Sequence, residues 1–236
     1  YTVELLPTSP TFLNLMLISE SYKTFDLTSL KIISYGTEPM PQSILNKLNK
    51  IFPNVKLRQT YGLIEIGVLR TKSENNNSLW LTLGGEGVKT RIVDDVLQIK
   101  TKSTMLGYLN APSPFTKDGW FNTQDKVQVK NEFFKILGRE SDIINVGGEK
   151  VYPTEVETVI QELSEVSEVT VYGKSNPILG NIVCATIRLI QNQDPDLFKI
   201  KLKKHCKEKL KKFMIPVKII FDDQKQYNYR FKKIKS

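Results

Sequence analysis

The stretch Gly138–Glu157, GRESDIINVGGEKVYPTEVE, constrains the fold most, because it combines strand, turn and helix signals in one short segment. An apolar run ends at Leu137 and residues 142–146 form a second one, so both predict strands. Gly147 and Gly148 follow the second run. They predict a tight turn, because glycine tolerates a positive φ and the close approach of another backbone.

A helix is predicted directly after this turn. Thr154 and Glu157 have the three-residue spacing of a capping box, in which each side chain bonds the backbone N–H of the other residue. The apolar residues that follow recur at helical spacing and predict one buried face. They are Val156, Val159, Ile160 and Leu163.

The N-terminal part alternates strands and helices. An initial strand precedes a helix that begins at Thr8-Ser9-Pro10, and strands at about 30–35 and 55–60 flank a helix at about 41–52. The apolar face predicted for the second helix comprises Ile44, Leu45, Leu48 and Ile51. This order predicts a parallel α/β sheet, in which ligands bind at the carboxyl ends of the strands. A glycine and an acid follow each of the two later strands, namely Gly36 with Glu38 and Gly62 with Glu65.

Short strands are predicted in the middle of the chain. The polar residues 70–81 predict a loop, and strands at 88–93 and 96–101 follow, joined by Asp94-Asp95 at a hairpin position. The elements predicted beyond residue 157 form an α+β unit. They are strands at 168–172, 182–190 and 217–221 and a helix at about 196–213 that Pro216 stops.

We therefore predict an α/β plus α+β chain in two parts. Residues 1–137 comprise the end of a parallel-sheet subdomain, at about 1–70, and a small β-subdomain, at about 80–137. Residues 138–236 form a small α+β domain that moves on a hinge near Ser141.

Composition narrows the kinds of chemistry to expect. The single histidine, His205, argues against a Ser-His-Asp triad and against multi-histidine metal sites. Two cysteines are too few for a disulfide framework and favour a reducing, cytoplasmic compartment. The net charge of +9 lies mainly in the Lys-rich segment after residue 200, which suits a solvated helix face, nucleic acid, an anionic membrane surface or a phosphorylated ligand. No run of about 20 apolar residues predicts a membrane span.

Several motifs resemble, in their order, those of the adenylate-forming (AMP-binding) superfamily, which includes acyl-CoA synthetases, peptide-synthetase adenylation domains and luciferase. They are Gly36–Pro39, Tyr61–Glu65, the Gly-Tyr-x-Asn stretch within Met105–Asn110, Asp118–Asp125 and Gly138–Glu157. The resemblance covers about residues 7–233 and corresponds to the downstream part of these enzymes. Their upstream phosphate loop has no counterpart in this sequence, so we expect either the downstream part of a longer enzyme or a shortened relative.

This resemblance implies an ATP site. It places Gly36, Thr37, Glu38, Pro39, Tyr61 and Gly62 against adenine, Ile64 at a phosphate-contacting position, Glu65 on Mg²⁺, and Asp125 and Arg139 on the ribose. It also makes Ser141 the hinge, and makes Gly147 and Gly148 the turn that approaches the site during transfer to a thiol.

Three positions depart from the family pattern. Ile64 stands where relatives have threonine and its side chain donates no hydrogen bond to phosphate, while Gln124 stands where they have glycine. Relatives carry a catalytic lysine near the C-terminus. Our alignment places Arg230 there, and a shift of two residues places Lys232 there instead. Arginine keeps the charge but presents a planar fork rather than a point charge.

The resemblance implies an AMP-forming acid–thiol ligase. Such an enzyme joins a carboxylic acid, fatty or aromatic, to ATP as an acyl-adenylate, and transfers the acyl group to coenzyme A or a carrier-protein thiol. Without the phosphate loop, this chain alone is expected to be inactive. A first alternative is a degenerate relative that binds a nucleotide or acyl group without catalysis. A second is a nucleic-acid-binding module driven by the basic tail, although a stable nucleic-acid partner is not expected. The acid and the oligomeric state stay open.

Overall fold

The structure is a computed structural model that describes residues 2–191, 194–229 and 233. The residues group into two compact units. The first unit comprises Tyr1–Thr8, Leu27–Met40 and Asn49–Ser141, and the second comprises Ser9–Asp26, Pro41–Leu48 and Asp142–Ser236. The last change of unit along the chain falls between Ser141 and Asp142. The division at residue 137 and the hinge at Ser141 stay predictions.

The first unit contains a three-stranded parallel sheet in the order β1-β2-β3. Its strands are β1 (Leu5–Thr8), β2 (Ile32–Tyr35) and β3 (Lys56–Gln59). Leu5 lies opposite Ile32, which in turn lies opposite Lys56. The parallel layer predicted from the strand–helix–strand order is therefore confirmed.

Two helices follow the first two strands along the chain, α1 (Pro10–Ile18) and α2 (Gln42–Ile51). Helix α1 begins as predicted, because the Ser9 hydroxyl accepts the Phe12 N–H at 3.2 Å and Pro10 occupies the first turn, where its missing N–H costs nothing. The predicted apolar face of α2 is buried at Ile44, Leu45 and Leu48.

The first unit also contains a seven-stranded antiparallel sheet in the order β4-β5-β6-β10-β9-β8-β7. The strands are β4 (Tyr61–Leu63), β5 (Gly67–Ser73), β6 (Leu81–Gly84), β7 (Lys89–Val93), β8 (Val96–Lys100), β9 (Phe121–Lys130) and β10 (Phe133–Arg139). The residues buried in its core are Tyr61, Ile66, Leu69, Leu81, Leu97, Ile99, Phe121, Val127 and Phe134.

The loop predicted at residues 70–81 is partly wrong. Strand β5 continues to Ser73 and pairs with β6, with Arg70 opposite Gly84. Polar side chains are compatible with a strand whose outward face meets water, so polarity alone did not distinguish it from a loop. The hairpin at Asp94-Asp95 is confirmed. Both residues have positive φ, 50° and 62°, as a two-residue hairpin turn of type I′ requires.

Besides α1 and the larger part of α2, the second unit contains a five-stranded sheet and the helices α3 (Pro153–Ile160) and α4 (Pro195–Lys209). The strands are β11 (Ile144–Val146), β12 (Glu149–Val151), β13 (Val166–Asn176), β14 (Gly180–Leu189) and β15 (Lys218–Phe221). They run in the order β12-β11-β14-β13, and β15 pairs with β14 in parallel. Val151, Val156, Ile160, Ala185, Ile187, Phe198 and Leu202 lie in its core. Together with the two sheets of the first unit, this confirms the predicted α/β plus α+β fold class.

Two predictions about helix ends are wrong. Helix α3 begins after Tyr152, whose side chain makes no capping hydrogen bond, and Glu157 Oε1 accepts the N–H of Val171 instead of closing a capping box. Helix α4 ends at Lys209, before Pro216, because Leu210 has extended dihedrals of −116° and 151°.

Both cysteines are free and buried. Burial raises the pKa of the Cys206 thiol to about 11, and it also raises the pKa of Cys184. Among the described residues, no helix is long and apolar enough to cross a membrane.

Candidate functional site

A tyrosine and an aspartate form the centre of the site. Tyr61, at the start of β4, donates its hydroxyl proton to Oδ2 of Asp125 in β9 at 2.6 Å. The two residues are 6% and 7% exposed. Burial and the neighbouring carboxylate raise the pKa of Tyr61 far above its ordinary value, so the phenol stays a hydrogen-bond donor.

An arginine stands directly across the strand pair from this aspartate. Arg139 ends β10 and faces Asp125 in the antiparallel register. Its Nε lies 3.6 Å from Oδ1, and its side chain is 50% exposed. The separation exceeds a hydrogen bond, so this is a loose ion pair with one partner open to solvent.

The backbone beside Asp125 is shaped by a bulge. The register between β8 and β9 shifts there, and Gln124 takes a φ of 60°. Thr123 fixes both sides of it, since its hydroxyl donates to the Leu97 carbonyl at 2.7 Å and accepts the Asp125 N–H at 3.0 Å. Gln124 therefore adopts the left-handed conformation that glycine favours.

Tyr108 and Glu65 form a second tyrosine–carboxylate pair. The hydroxyl of Tyr108 donates to Oε1 of Glu65 at 2.5 Å, and this bond raises the pKa of Tyr108. The positive charge of Arg139 opposes the rise in the pKa of both Tyr61 and Tyr108, although the pKa of each stays raised. Arg139 therefore lies within electrostatic range of both tyrosine–carboxylate pairs.

No group of three or more His, Cys, Asp or Glu side chains among the described residues is placed to hold a metal ion. Glu65 is half-buried in the turn between β4 and β5, with one oxygen bonded to Tyr108. A lone carboxylate of this kind suits Mg²⁺ only when phosphate oxygens and water supply the other ligands.

The segment after β2 has an unusual backbone. Gly36 is buried, and a Cβ at this position would lie 2.3 Å from the Thr60 hydroxyl and 2.8 Å from its carbonyl oxygen. Thr37 has a φ of 71°, which is rare for a β-branched residue. Glu38 is half-exposed and Pro39 exposed. The segment is thus held close to β3 in a conformation that its own sequence disfavours.

The β4–β5 hairpin presents the remaining predicted nucleotide contacts. A Cβ at Gly62 would lie 2.8 Å from the Gly67 carbonyl oxygen, so only glycine fits there. The Ile64 side chain is fully exposed. Because the ring of Tyr61 is buried, an adenine would contact only a small part of it.

The second unit contains the predicted thiol-transfer turn. Gly147 and Gly148 connect β11 to β12 with φ values of 58° and 90°, and the N–H of Gly147 donates to the Leu179 carbonyl at 2.8 Å. Ser141 lies in a short 3₁₀ turn, Glu140–Asp142. Arg230 and Lys232, the two candidates for the catalytic cation, lie outside the described residues.

Sequence reasoning gave no role to Tyr108 or Thr123. Tyr108 belongs to the Gly-Tyr-x-Asn stretch, so its motif was a signal that could have found it. Thr123 supports Asp125 through short-range hydrogen bonds to the bulge, for which the sequence has no distinct signal.

Comparison with known proteins adds three kinds of likeness. Residues 155–228 match the family described as the AMP-binding enzyme C-terminal domain. Over 244 residues the chain is 27% identical to the long-chain-fatty-acid–CoA ligase of Haemophilus influenzae, covering 95% of this chain and 42% of that protein. Over 130 residues it is 35% identical to the 2-succinylbenzoate–CoA ligase of Geobacillus kaustophilus, covering 53% of this chain and 26% of that protein.

Solved structures share the fold. The anthranilate CoA ligase AuaEII, in complex with anthranoyl-AMP, has a TM-score of 0.82 at 21% identity and covers 98% of this chain. The amide bond synthetase McbA of Marinactinospora thermotolerans has a TM-score of 0.79 at 23% identity and covers 94% of this chain. This chain spans 48% of each of these two chains, and therefore less than two thirds of the proteins it matches.

Proposed function

We propose that this chain, which belongs to the adenylate-forming (AMP-binding) superfamily and matches the downstream part of its members, is part of an AMP-forming acid–thiol ligase. The ligase joins a carboxylic acid to ATP as an acyl-adenylate with release of pyrophosphate. It then transfers the acyl group to a thiol, that of coenzyme A or of a carrier protein.

The polar cluster around Asp125 and Arg139 is the observation that carries this proposal. A carboxylate accepts two vicinal hydroxyls well, and Asp125 is fixed by the Tyr61 phenol on one oxygen and faces Arg139 on the other. Arg139 is half exposed and supplies a positive charge beside that carboxylate. We assign these two residues to the ribose, with catalysis resting on positioning and charge neutralisation.

Glu65 is the proposed contact for Mg²⁺. Its carboxylate accepts the hydroxyl of Tyr108, and one carboxylate with substrate phosphates is the usual protein contribution to such a site. When bound, the ion would neutralise phosphate charge. Tyr108 keeps the Glu65 carboxylate in one rotamer for that purpose.

The adenine is assigned to the Gly36–Pro39 segment and to the exposed rim of Tyr61 and Gly62. The strained φ of Thr37 supports this assignment, because backbone strain is concentrated at binding sites. Ile64 donates no side-chain hydrogen bond, so a phosphate contact at this position would come from the backbone.

The second unit is assigned to thiol transfer. We propose that it rotates at Ser141 and brings the Gly147–Gly148 turn to the acyl-adenylate, while a cation near the C-terminus, Arg230 or Lys232, serves adenylation. Both turn residues have positive φ, which favours glycine. Because glycine has no side chain, the turn leaves room for a thiol ligand to pass the main chain.

Calorimetric titration of ATP into the full-length protein tests the nucleotide assignment. We expect Asp125→Asn to weaken ATP binding at least tenfold, which is about 1.4 kcal/mol. Asp118→Asn is the matched control, because Asp118 lies in the same motif as Asp125 but is exposed and pairs with Arg91. Equal affinities in wild type and Asp125→Asn would remove Asp125 from the site.

Pyrophosphate release with ATP, magnesium and a panel of fatty and aromatic acids tests the reaction. Loss in Arg230→Ala alone would assign the catalytic cation to Arg230, and loss in Lys232→Ala alone would assign it to Lys232. A folded protein that binds ATP and releases no pyrophosphate with any acid would favour the degenerate relative. The fully exposed Ile64 side chain, at a position where relatives place a hydroxyl, is the observation in favour of that alternative.

A further inference from the structure

A lysine close to the C-terminus forms an ion pair with a glutamate of helix α3. Nζ of Lys233 lies 2.6 Å from Oε1 of Glu157, and the two side chains are 23% and 14% exposed. The same oxygen accepts the backbone N–H of Val171 in β13 at 2.8 Å. Because this carboxylate is shielded from water and already fixed by a backbone donor, the ion pair differs from a mobile surface pair.

The chain before this lysine is held at a second point. The backbone N–H of Gln226 donates to Oε2 of Glu168 at 2.7 Å, and its side-chain carbonyl accepts the hydroxyl of Thr170 at 2.7 Å. Glu168 is itself fixed, since its other oxygen pairs with Arg188 at 2.8 Å. Two acids of the same unit therefore act as anchors: Glu157 holds Lys233, and Glu168 holds Gln226.

The two anchors act together. Tyr227 and Lys233 form an antiparallel bridge, so the residue that follows Gln226 is paired with the lysine that Glu157 holds. Every anchoring residue belongs to the second unit. A rotation of that unit as a body would carry Gln226, Lys233 and the two acids that hold them along together.

We infer that Glu157 is a positioning residue for adenylation, which acts by fixing Lys233 close to the C-terminus. The inference rests on the proposed function, because Arg230 and Lys232, the candidates for the catalytic cation, lie between Gln226 and Lys233 in sequence. Glu157 itself touches no substrate in this scheme. It restricts the positions that Lys233 can occupy, so that less conformational freedom is lost when the transition state forms.

Hydrogen–deuterium exchange of the full-length protein tests the anchoring without any activity. We expect peptides that contain Gln226 and Lys233 to exchange at least tenfold faster in Glu157→Gln and in Lys233→Met. Lys209→Met is the matched control, since it removes a lysine paired with Glu162 in the same unit. Unchanged exchange in both anchor variants would overturn the inference. If Glu157→Gln does not fold, Lys233→Met decides, because it leaves the bond from Val171 to Glu157 in place.

Kinetics of the two half-reactions test the positioning role. In ATP–pyrophosphate exchange, we expect kcat to fall about tenfold in Glu157→Gln and Lys233→Met, with the KM for ATP unchanged and activity largely restored in Lys233→Arg. Thiol transfer from a supplied acyl-adenylate should be unaffected. A merely structural loss would lower both half-reactions together and would overturn the inference.

The same kinetics distinguish a failure of the proposed function from a failure of the positioning role of Glu157. No pyrophosphate exchange by the wild-type protein with any acid would overturn the proposed function and with it the role of Glu157. Normal wild-type exchange that neither anchor variant changes would overturn the positioning role alone.

Discussion

The hydroxyl of Tyr61 donates a 2.6 Å hydrogen bond to the carboxylate of Asp125, a residue 64 positions further along the chain. This bond joins β4 to β9, which are not neighbours in the seven-stranded sheet. It also leaves a buried phenol and a buried carboxylate dependent on each other. The nucleotide site proposed above is therefore coupled to the stability of the sheet.

Removing the phenol should destabilise the protein. In Tyr61→Phe the carboxylate of Asp125 loses a charge-assisted donor, and we expect the free energy of unfolding to fall by about 1–3 kcal/mol in urea denaturation. Tyr108→Phe is the control, because Tyr108 is exposed and its loss should cost less than about 1 kcal/mol. Equal losses in the two variants would contradict the coupling.

The raised pKa of Tyr61 predicts a loss of stability in alkali. The folded protein keeps this phenol protonated, whereas the unfolded chain releases the proton above its ordinary pKa of about 10. The unfolded state then binds fewer protons than the native state, so the free energy of unfolding decreases as pH rises beyond that value. Wild-type protein should lose more stability than Tyr61→Phe between about pH 9 and pH 11. Parallel curves for the two proteins would refute this.

Relieving the backbone at Thr37 should stabilise the protein. A β-branched residue at a φ of 71° is strained, whereas glycine adopts this conformation freely at some entropic cost to the folded state. We expect Thr37→Gly to raise the free energy of unfolding by about 1 kcal/mol, with Thr37→Asn between it and the wild type. Loss of ATP affinity in these more stable variants would link the strain to binding. A destabilised Thr37→Gly would show that the threonine side chain contributes more than the strain costs.

A methyl group at Gly36 should have the opposite effect. It would meet both the hydroxyl and the carbonyl oxygen of Thr60, so we expect Gly36→Ala to lower the free energy of unfolding by about 1–3 kcal/mol. Of the two clashing atoms, a second substitution, Thr60→Ala, removes the hydroxyl oxygen, whereas the carbonyl oxygen at 2.8 Å remains. The double variant should therefore recover only part of the loss. Thermal melts of the single and double variants check this, and full recovery would show that the side chain alone causes the clash.

Local signals in the sequence predicted most of the fold. The Ser9 cap, the buried face of α2 and the Asp94-Asp95 hairpin all depend on residues close together in the chain, and all three are confirmed. Their patterns arise from backbone geometry within a single turn or hairpin, which short segments specify directly.

Long-range partners explain what the sequence did not predict. The spacing of Thr154 and Glu157 fits a capping box, yet Glu157 bonds the backbone of Val171 and the ammonium group of Lys233. Strand β5 was predicted as part of a loop for a similar reason. Its hydrogen bonds go to β4 and β6, and a polar sequence does not reveal which strands will pair with it.

Family resemblance supplied candidate residues for the site but not their surroundings. It pointed to Tyr61, Asp125 and Arg139, which the structure brings together, but it did not indicate that Tyr61 is buried or that Tyr108 holds Glu65. Burial depends on how the whole sheet packs, which a motif of a few residues does not determine.

The two sequestered thiols make this protein convenient for spectroscopy. Alkylating dyes react with accessible thiolates, and neither Cys184 nor Cys206 offers one while the chain is folded. A cysteine introduced on the surface of each unit would therefore take up label selectively, with no need to remove the natural pair first. Energy transfer between two such dyes could then follow the rotation proposed at Ser141 in single molecules, with and without ATP.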